Sequence, residues 1–316
     1  MTFQDIAIRV KNHWDGIFQR DDPLYEEICE WYGEPYPTPV PLVRRTRDQG
    51  FVTPETDFAE CISNARSYAG PHLLQLATVL DSAQATNLRQ HLTGGQEVIV
   101  IDVGCAAGIL SLFADRCGFA HYIGIDTNSW MRRISDLVLQ TTFNTMVVIE
   151  GYSPRPDHGE YGYFMERPVT SADSGLTTLE DRPTFTLFDG LSESISETVR
   201  QLSRVAQHRN ISRNFTVLVV LNHILFQPSQ ADIERLIRRV LELCVGFEQL
   251  NSVTSYLISI EPGALWKPAR FGTQGFDNEL AMVPAVVQRF PVVGLTELLT
   301  GRPGKDAVVR LVRFGS

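Results

Sequence analysis

The feature that most constrains this chain is an apolar run, Val98–Ile101, that leads directly into a glycine-containing turn, Asp102–Gly108, and then into a helical pattern. Four consecutive β-branched residues are typical of a strand buried on both faces of a parallel sheet. Gly104 and Gly108 allow the backbone to turn tightly and to approach a ligand closely. The helix after the turn presents free N–H groups and a partial positive charge. The pattern therefore predicts a strand–turn–helix unit that binds an anionic group.

An acidic residue ends the second predicted strand. The largely apolar run Tyr122–Ile125 leads into Asp126, which follows Gly104 by 22 positions. An acid at this distance, at the tip of the strand after a glycine turn, is placed to bind ribose hydroxyls. The glycine spacing differs from the dinucleotide fingerprint, because Ala106 stands where that fingerprint has its second glycine. The spacing therefore disfavours NAD as the cofactor.

The run Ile101–Leu112 resembles the first motif of the class I SAM-dependent methyltransferases, and Tyr122–Asp126 resembles their second motif. The resemblance is close over about residues 97–140 and extends to residue 314 only as a pattern of elements. It implies S-adenosyl-L-methionine as the cofactor, S-adenosylhomocysteine as its product, and an enzyme that transfers a methyl group. In that family the turn lies against the methionine part of the cofactor, and the acid after the second strand binds the ribose. The cofactor-binding residues implied by these two motifs are Asp102, Gly104, Cys105, Ala106, Gly108 and Asp126.

The adenine contact is expected after the third strand. The resemblance implies an acid and a small residue there, and Asp189 with Gly190 fits because the pair follows the predicted strand Thr184–Phe188. Glu150–Gly151, after the apolar run Met146–Ile149, is the alternative. Asp189 gives the shorter strand–helix–strand unit, although Asp-Gly is also a common turn pair.

Strands and helices alternate from Glu97 to the C-terminus, which predicts an α/β fold. With the resemblance, we expect a Rossmann-like, seven-stranded, mostly parallel sheet with helices on both faces. The C-terminal strand, Ala307–Phe314, is expected to be antiparallel and to pair with Pro291–Val293. Residues 1–92 are predicted to form an N-terminal helical cap, with one longer helix over residues 72–91. Residues 93–316 are predicted to form the cofactor-binding core, with an insertion at about 144–183.

Candidate catalytic residues follow the fourth predicted strand, Thr216–Leu221. In the resembled family the carboxyl end of this strand borders the site of methyl transfer. His223 has a natural pKa near neutrality, which suits a general base, and Asn222 can bind the cofactor or orient the acceptor. The sequence here is not the Asn/Asp-Pro-Pro-aromatic motif of enzymes that methylate amide or base nitrogens. The alternative for His223 is a hydrogen-bonded histidine at a strand end.

Two further groups are candidates for substrate binding. Lys267 and Arg270 follow the fifth predicted strand, Ser255–Ile260, and are able to hold an acidic group, although a solvated loop is the alternative. The cap is rich in aromatic residues, of which Trp14, Tyr25 and Tyr32 are candidates to line an acceptor pocket. Packing of these rings within the cap is the alternative.

The chain carries 37 acidic and 28 basic residues, a net charge of −9. Tight non-specific binding to nucleic acid depends on a basic surface, so this balance disfavours a nucleic-acid partner. The five cysteines have no metal-ligand spacing, so we expect no metal, and their pattern indicates a reducing, cytoplasmic compartment. No apolar leader or membrane-length stretch is present in the sequence, so we expect no membrane partner.

These patterns together predict a SAM-dependent methyltransferase. We expect its acceptor to be a small molecule, a natural product or metabolite with a hydroxyl or amine. One alternative is an RNA or protein methyltransferase. A second is a non-catalytic protein of the same fold that acts as a binding or regulatory subunit. A homodimer is the candidate assembly.

Overall fold

A computed structural model describes residues 1–19, 22–31, 58–119, 121–126, 128–143, 147–150, 184–189, 215–222, 230–248, 253–262, 275–283, 285–292 and 307–314.

The described N-terminal residues are largely helical. The helices are α1 (Phe3–Ile17), α2 (Pro23–Trp31), α3 (Phe58–Asn64), a π-helical turn (Ala65–Ala69), α4 (Gly70–Asp81), a 3₁₀ turn (Ala83–Ala85) and α5 (Thr86–Thr93). The sequence predicted one helix over residues 72–91, whereas the structure interrupts it at Ser82. Ser82 is extended, and its hydroxyl donates to the carbonyl oxygen of Val79 at 2.6 Å, which ends α4.

The rest of the described chain forms one sheet and its flanking helices. The strands are β1 (Glu97–Val103), β2 (His121–Asp126), β3 (Val147–Glu150), β4 (Thr184–Asp189), β5 (Phe215–Asn222), β6 (Val253–Pro262), β7 (Ala285–Val292) and β8 (Ala307–Phe314). The helices are α6 (Ile109–Arg116), α7 (Ser129–Phe143) and α8 (Gln230–Glu248), and residues 275–280 form a further short helix.

The strand order across the sheet is β3-β4-β2-β1-β5-β6-β8-β7. The strands from β1 to β6 pair in parallel, and β8 is antiparallel to both β6 and β7. The predicted α/β architecture with an antiparallel C-terminal strand is confirmed. The strands β2, β3 and β4 lie on one side of β1, and the strands β5 to β8 lie on its other side. The strand order therefore reverses at β1, and ligands of such sheets bind beyond the carboxyl ends of the strands at this point.

The predicted number of seven strands is wrong, because the described residues contain eight. The additional strand is β3, which lies inside the expected insertion. Val147 pairs with Phe185 and Ile149 with Leu187, so the short apolar run before Glu150 extends the sheet at its edge.

The predicted pairing of Pro291–Val293 with the C-terminal strand is confirmed for the described residues, since Pro291 pairs with Val308 and Val292 with Ala307, but the strand begins six residues earlier than predicted. The strand in this region is β7, and its first residue, Ala285, pairs with Phe314. Pro291 lacks a backbone N–H and is tolerated because β7 is the edge strand of the sheet.

Helices cover both faces of the sheet, as predicted. On one face the apolar side chains of α1, α4, α6 and α7 form one continuous core with the strands. On the other face α8 packs against the sheet, with Ile237 and Phe247 fully buried. Phe3 of α1 contacts Phe113 of α6 with ring centroids 6.0 Å apart, so the N-terminal helices share one core with the sheet. In the described part of the chain, no helix has the length and apolar character needed to span a membrane.

Candidate functional site

The turn after β1 is held to the end of β2 by main-chain hydrogen bonds. The amides of Gly104 and Cys105 both donate to the carbonyl oxygen of Ile125, at 2.7 and 3.1 Å. Gly104 has a φ of +74°, a left-handed conformation that favours glycine. The turn therefore lies directly against the tip of the neighbouring strand.

Asp126 is a second link between the two strand ends. One carboxylate oxygen accepts from the amide of Ala106 at 2.8 Å, and the other accepts from the amide of Asn128 at 2.8 Å. Ala106 itself has a φ of +48°, which is uncommon for a residue with a side chain. The charged hydrogen bond to its amide stabilises that conformation. Arg132 donates to the main-chain oxygen of Asp126 and thereby ties α7 to the same corner.

Gly108 is required by packing as well as by conformation. Its φ is +83°, and it immediately precedes α6. A Cβ at this position would lie 2.0 Å from the Oγ and 2.9 Å from the Cβ of Ser135 on α7. The absence of a side chain thus lets α7 approach the start of α6 closely.

Asp102 and Tyr122 form a buried pair beneath the turn. The Tyr122 hydroxyl donates to a carboxylate oxygen of Asp102 at 2.9 Å. Burial, with a smaller contribution from the charge of Asp126, raises the pKa of Asp102 to about 7, although the hydrogen bond from Tyr122 opposes the shift. A cationic group bound next to Asp102 would favour its ionised form. Burial also raises the pKa of the Cys105 thiol, so Cys105 is a neutral packing residue.

Asn222 lies beside the turn at the end of β5. Val103, the last residue of β1 before the turn, pairs with Leu221, and Asn222 follows directly after Leu221. The Asn222 side-chain amide donates to the carbonyl oxygen of His72 at 2.9 Å. His72 has no recognisable spacing to any motif, and sequence reasoning missed it. Its position depends on a contact between residues 150 positions apart, for which the local sequence carries no signal.

The main chain of Asp189 pairs with that of Asp126, since β4 lies next to β2. The alternative residue, Glu150, lies one strand further out, on the edge strand β3. The backbone thus places Asp189 nearer the turn than Glu150.

The candidate residues of the cap that the structure describes lie in its interior. Trp14 is 0% exposed, and its indole N–H donates to the carbonyl oxygen of Ala65 at 3.0 Å. Tyr25 is buried, and its ring packs edge-on against Phe18. Their roles in substrate binding stay predictions.

Several candidate residues fall outside the described part of the chain, and their roles also stay predictions: His223, Gly190, Tyr32, Lys267 and Arg270. Among the described residues, no group of three or more His, Cys, Asp or Glu side chains is arranged to hold a metal ion.

No family model matches this chain. The chain is 39% identical over 54 residues to protein arginine N-methyltransferase 1 of Saccharomyces cerevisiae, a match that spans 17% of this chain and 16% of the yeast protein. Among solved structures, it is similar to the plantazolicin methyltransferase BpumL in complex with SAH, at 11% identity and a TM-score of 0.36, covering 99% of both chains. It is also similar to the magnesium protoporphyrin IX methyltransferase of Synechocystis PCC 6803 with bound SAM, at 12% identity and a TM-score of 0.37, covering 96% of this chain and 97% of that one.

The chain has a Rossmann-like α/β fold over the residues that the structure describes. Its sheet is mostly parallel, reverses its strand order at β1 and ends in an antiparallel strand. The glycine turn and the acid after β2 meet at that point of reversal. The fold thus brings together the two motifs that the sequence pointed to, and the role of their residues in binding a cofactor stays a prediction.

Proposed function

We propose that this protein is a SAM-dependent methyltransferase whose acceptor is a small molecule with a hydroxyl or amine. The observation that carries the proposal is the hydrogen-bonded corner formed by the Gly104 turn and Asp126, at the point where the strand order reverses. This arrangement brings backbone donors, a helix N-terminus and a carboxylate to one edge of the sheet.

The described residues fit S-adenosylmethionine in three respects. The left-handed backbone at Gly104 allows a ligand to approach the main chain closely. The carboxylate of Asp126 lies at the end of β2 and is hydrogen-bonded to the turn, which is where an acid suits the binding of ribose hydroxyls. The buried carboxyl of Asp102 offers a counter-charge to a cationic group.

When bound, the cofactor supplies a methyl group activated by a positively charged sulfur. The protein has to hold the acceptor in line with that methyl group and close to it. Asn222, at the end of β5, lies beside the turn and orients this part of the site through its contact with His72. A general base is needed only where the acceptor still carries its proton, as a hydroxyl does.

The acidic balance of the chain supports a small-molecule acceptor over RNA. A protein acceptor is the alternative for which an observation exists, namely the short similarity to an arginine methyltransferase. That match covers about a sixth of the yeast protein, so the similarity does not extend to the remaining five sixths of it.

Calorimetric titration with S-adenosylmethionine and S-adenosylhomocysteine tests the proposal. We expect dissociation constants between about 1 μM and 1 mM for the unaltered protein, the usual range for enzyme substrates. Asp126→Ala should weaken binding by at least about tenfold, because it removes the acceptor of two ribose hydrogen bonds. Asp115→Asn, on α6, is the matched control and should bind as the unaltered protein does.

Because Asp126→Ala also removes two hydrogen bonds within the turn, its fold is checked by circular dichroism before binding is interpreted. Absence of binding by the folded, unaltered protein would contradict the methyltransferase proposal and favour a non-catalytic role. If binding is present, release of S-adenosylhomocysteine with small hydroxyl compounds, amines, arginine-containing peptides and RNA identifies the acceptor class.

A further inference from the structure

The first turn of α7 is built around Asn128, which is 0% exposed. Its side-chain oxygen accepts from the amide of Met131 at 2.9 Å, so Asn128 is the residue that caps the start of this helix. The main-chain amide of Asn128 donates to one carboxylate oxygen of Asp126 at 2.8 Å. One buried residue therefore both begins α7 and holds the acid at the end of β2.

Helix α3 of the cap meets α7 at this same residue. The thiol of Cys61 donates to the side-chain oxygen of Asn128, with 3.5 Å between sulfur and oxygen. Phe58 lies three residues earlier on the same face of α3, and its ring packs against Trp130 with the centroids 5.8 Å apart. Cys61 is 0% exposed and Phe58 is buried, so the contact between the two helices lies in the protein interior. The thiol is a weak donor, and the aromatic pair adds packing to the same contact.

A continuous path of hydrogen bonds runs from α3 to the cofactor turn. It passes from Cys61 to Asn128 and then to one carboxylate oxygen of Asp126. The other oxygen of that carboxylate accepts from the amide of Ala106 at 2.8 Å. Arg132, one turn further along α7, donates to the main-chain oxygen of Asp126. The carboxylate is thus held from two sides, by the turn and by the start of α7, and a shift of the first turn of α7 would displace it.

We propose that Asn128 is a positioning residue for Asp126 and that α3 holds it in place, so that the cofactor and the cap stabilise each other. The inference rests on the proposed function, in which the carboxylate of Asp126 binds the ribose hydroxyls. Coupling between two sites is reciprocal. The factor by which a docked α3 strengthens cofactor binding is therefore also the factor by which the bound cofactor strengthens the docking of α3.

A purely structural role for Asn128 predicts a different result. Loss of a helix cap lowers the free energy of unfolding, and so does loss of a buried side chain. Neither loss changes the dissociation constant of a ligand for the folded protein, unless it displaces the residues that bind the ligand. The dissociation constant of S-adenosylhomocysteine, measured where each variant is folded, therefore separates positioning from stability.

Calorimetric titration of the full chain with S-adenosylhomocysteine tests the role of Asn128. Asn128→Ala removes the side-chain oxygen and keeps the main-chain amide. We expect it to raise the dissociation constant by at least about fivefold, the lower end of typical coupling between sites. In the Asp126→Ala background the same substitution should have no further effect, because Asn128 acts through that carboxylate. An equal loss of affinity in both backgrounds overturns the inference.

A double variant of α3, Phe58→Leu with Cys61→Ala, tests the role of the cap. It removes both contacts with α7 and leaves Asn128 and Asp126 unaltered, and it should also raise the dissociation constant by at least about fivefold. The matched control is Cys244→Ala with Phe247→Leu. These are the same two residue types, three positions apart and 0% exposed, on α8 at the other face of the sheet. The control should lose stability and bind S-adenosylhomocysteine as the unaltered protein does.

The outcomes separate this inference from the proposed function. If the folded, unaltered protein does not bind S-adenosylhomocysteine, both fall. If it binds, and Asn128→Ala binds within about twofold of it, the inference is overturned and the methyltransferase proposal stands. An equal loss of affinity in the α3 variant and the α8 control also overturns the inference, because a general loosening of the protein would then explain the effect. Urea denaturation followed by circular dichroism establishes that each variant is folded under the conditions of the titration.

Discussion

Replacement of Gly108 by alanine tests the account of the cofactor turn most directly. Two separate costs are expected. The φ of +83° is left-handed, a conformation that costs about 1–2 kcal/mol for a residue with a Cβ. The added Cβ would also lie 2.0 Å from the Oγ of Ser135, and forcing an extra group into a packed contact costs about 1–3 kcal/mol. The free energy of unfolding should therefore fall by about 2–5 kcal/mol in total.

Gly95→Ala is the matched control that isolates the packing contribution. Gly95 has a φ of +80°, and a Cβ there would meet nothing within 4 Å. Alanine also reduces the entropy of the unfolded chain equally at both positions, so that contribution cancels. The difference between the two variants is then the packing cost alone. Gly118→Ala, with a φ of +73° and the same open surroundings, serves as a second control.

The assay is equilibrium denaturation in urea, followed by circular dichroism. Ser135→Ala in the Gly108→Ala background removes the nearest atom and should restore part of the lost stability, although the Cβ of residue 135 remains 2.9 Å from the new methyl. The reasoning is refuted if Gly108→Ala destabilises the protein no more than Gly95→Ala does, within about 0.5 kcal/mol. We also expect Gly108→Ala to weaken binding of S-adenosylhomocysteine, since the start of α6 must shift.

Two further predictions concern buried charges. In the folded protein the pKa of the Asp102 carboxyl is about 7, whereas an unfolded aspartate loses its proton near pH 4. Between these two pH values the folded state binds more protons than the unfolded state. The free energy of unfolding therefore falls as the pH rises from about 4 to about 7. The Asp102→Asn protein should lack this loss of stability, which amounts to at most about 4 kcal/mol. Urea denaturation of both proteins between about pH 4 and pH 7 measures the difference. If the free energy of unfolding depends on pH in the same way in both proteins, the raised pKa of Asp102 is contradicted. The side chain of Arg310 is fully buried and donates two hydrogen bonds to the carboxylate of Asp277. Asp277→Ala should lower the free energy of unfolding by about 3 kcal/mol, because it leaves the buried charge of Arg310 without this partner. Adding Arg310→Met removes that charge and should recover part of the lost stability. The pair is not coupled if the costs of Asp277→Ala and Arg310→Met, each measured alone, add up to the cost of the double variant.

The parts of the site that could be predicted from the sequence are those specified by neighbouring residues. The four β-branched residues before Asp102 specify a buried strand by themselves, and the glycine positions indicate where the chain turns. Asp126 ends the next apolar run, so its place at a strand tip followed from the same pattern. The carboxyl ends of neighbouring parallel strands lie at the same edge of a sheet, so the sequence predicted that the two motifs lie close together.

The expected strand count was wrong for a physical reason. The apolar run that became β3 is four residues long and is followed by a polar stretch, so its local pattern does not separate a strand from a loop. Its pairing with β4 decided the matter. The same holds for β7, whose eight residues gain strand structure from the full length of β8 beside it.

The sequence by itself thus determined the strand–turn–helix unit, the acid after β2 and the α/β class, because hydrophobic period and glycine conformation are local properties of the chain. Only the tertiary structure decided that Gly108 faces Ser135, that Tyr122 reaches Asp102, and that the cap delivers His72 to the end of β5. These contacts join residues far apart in the chain. They depend on how helices and strands pack in three dimensions, and the spacing of residues along the sequence does not predict that packing.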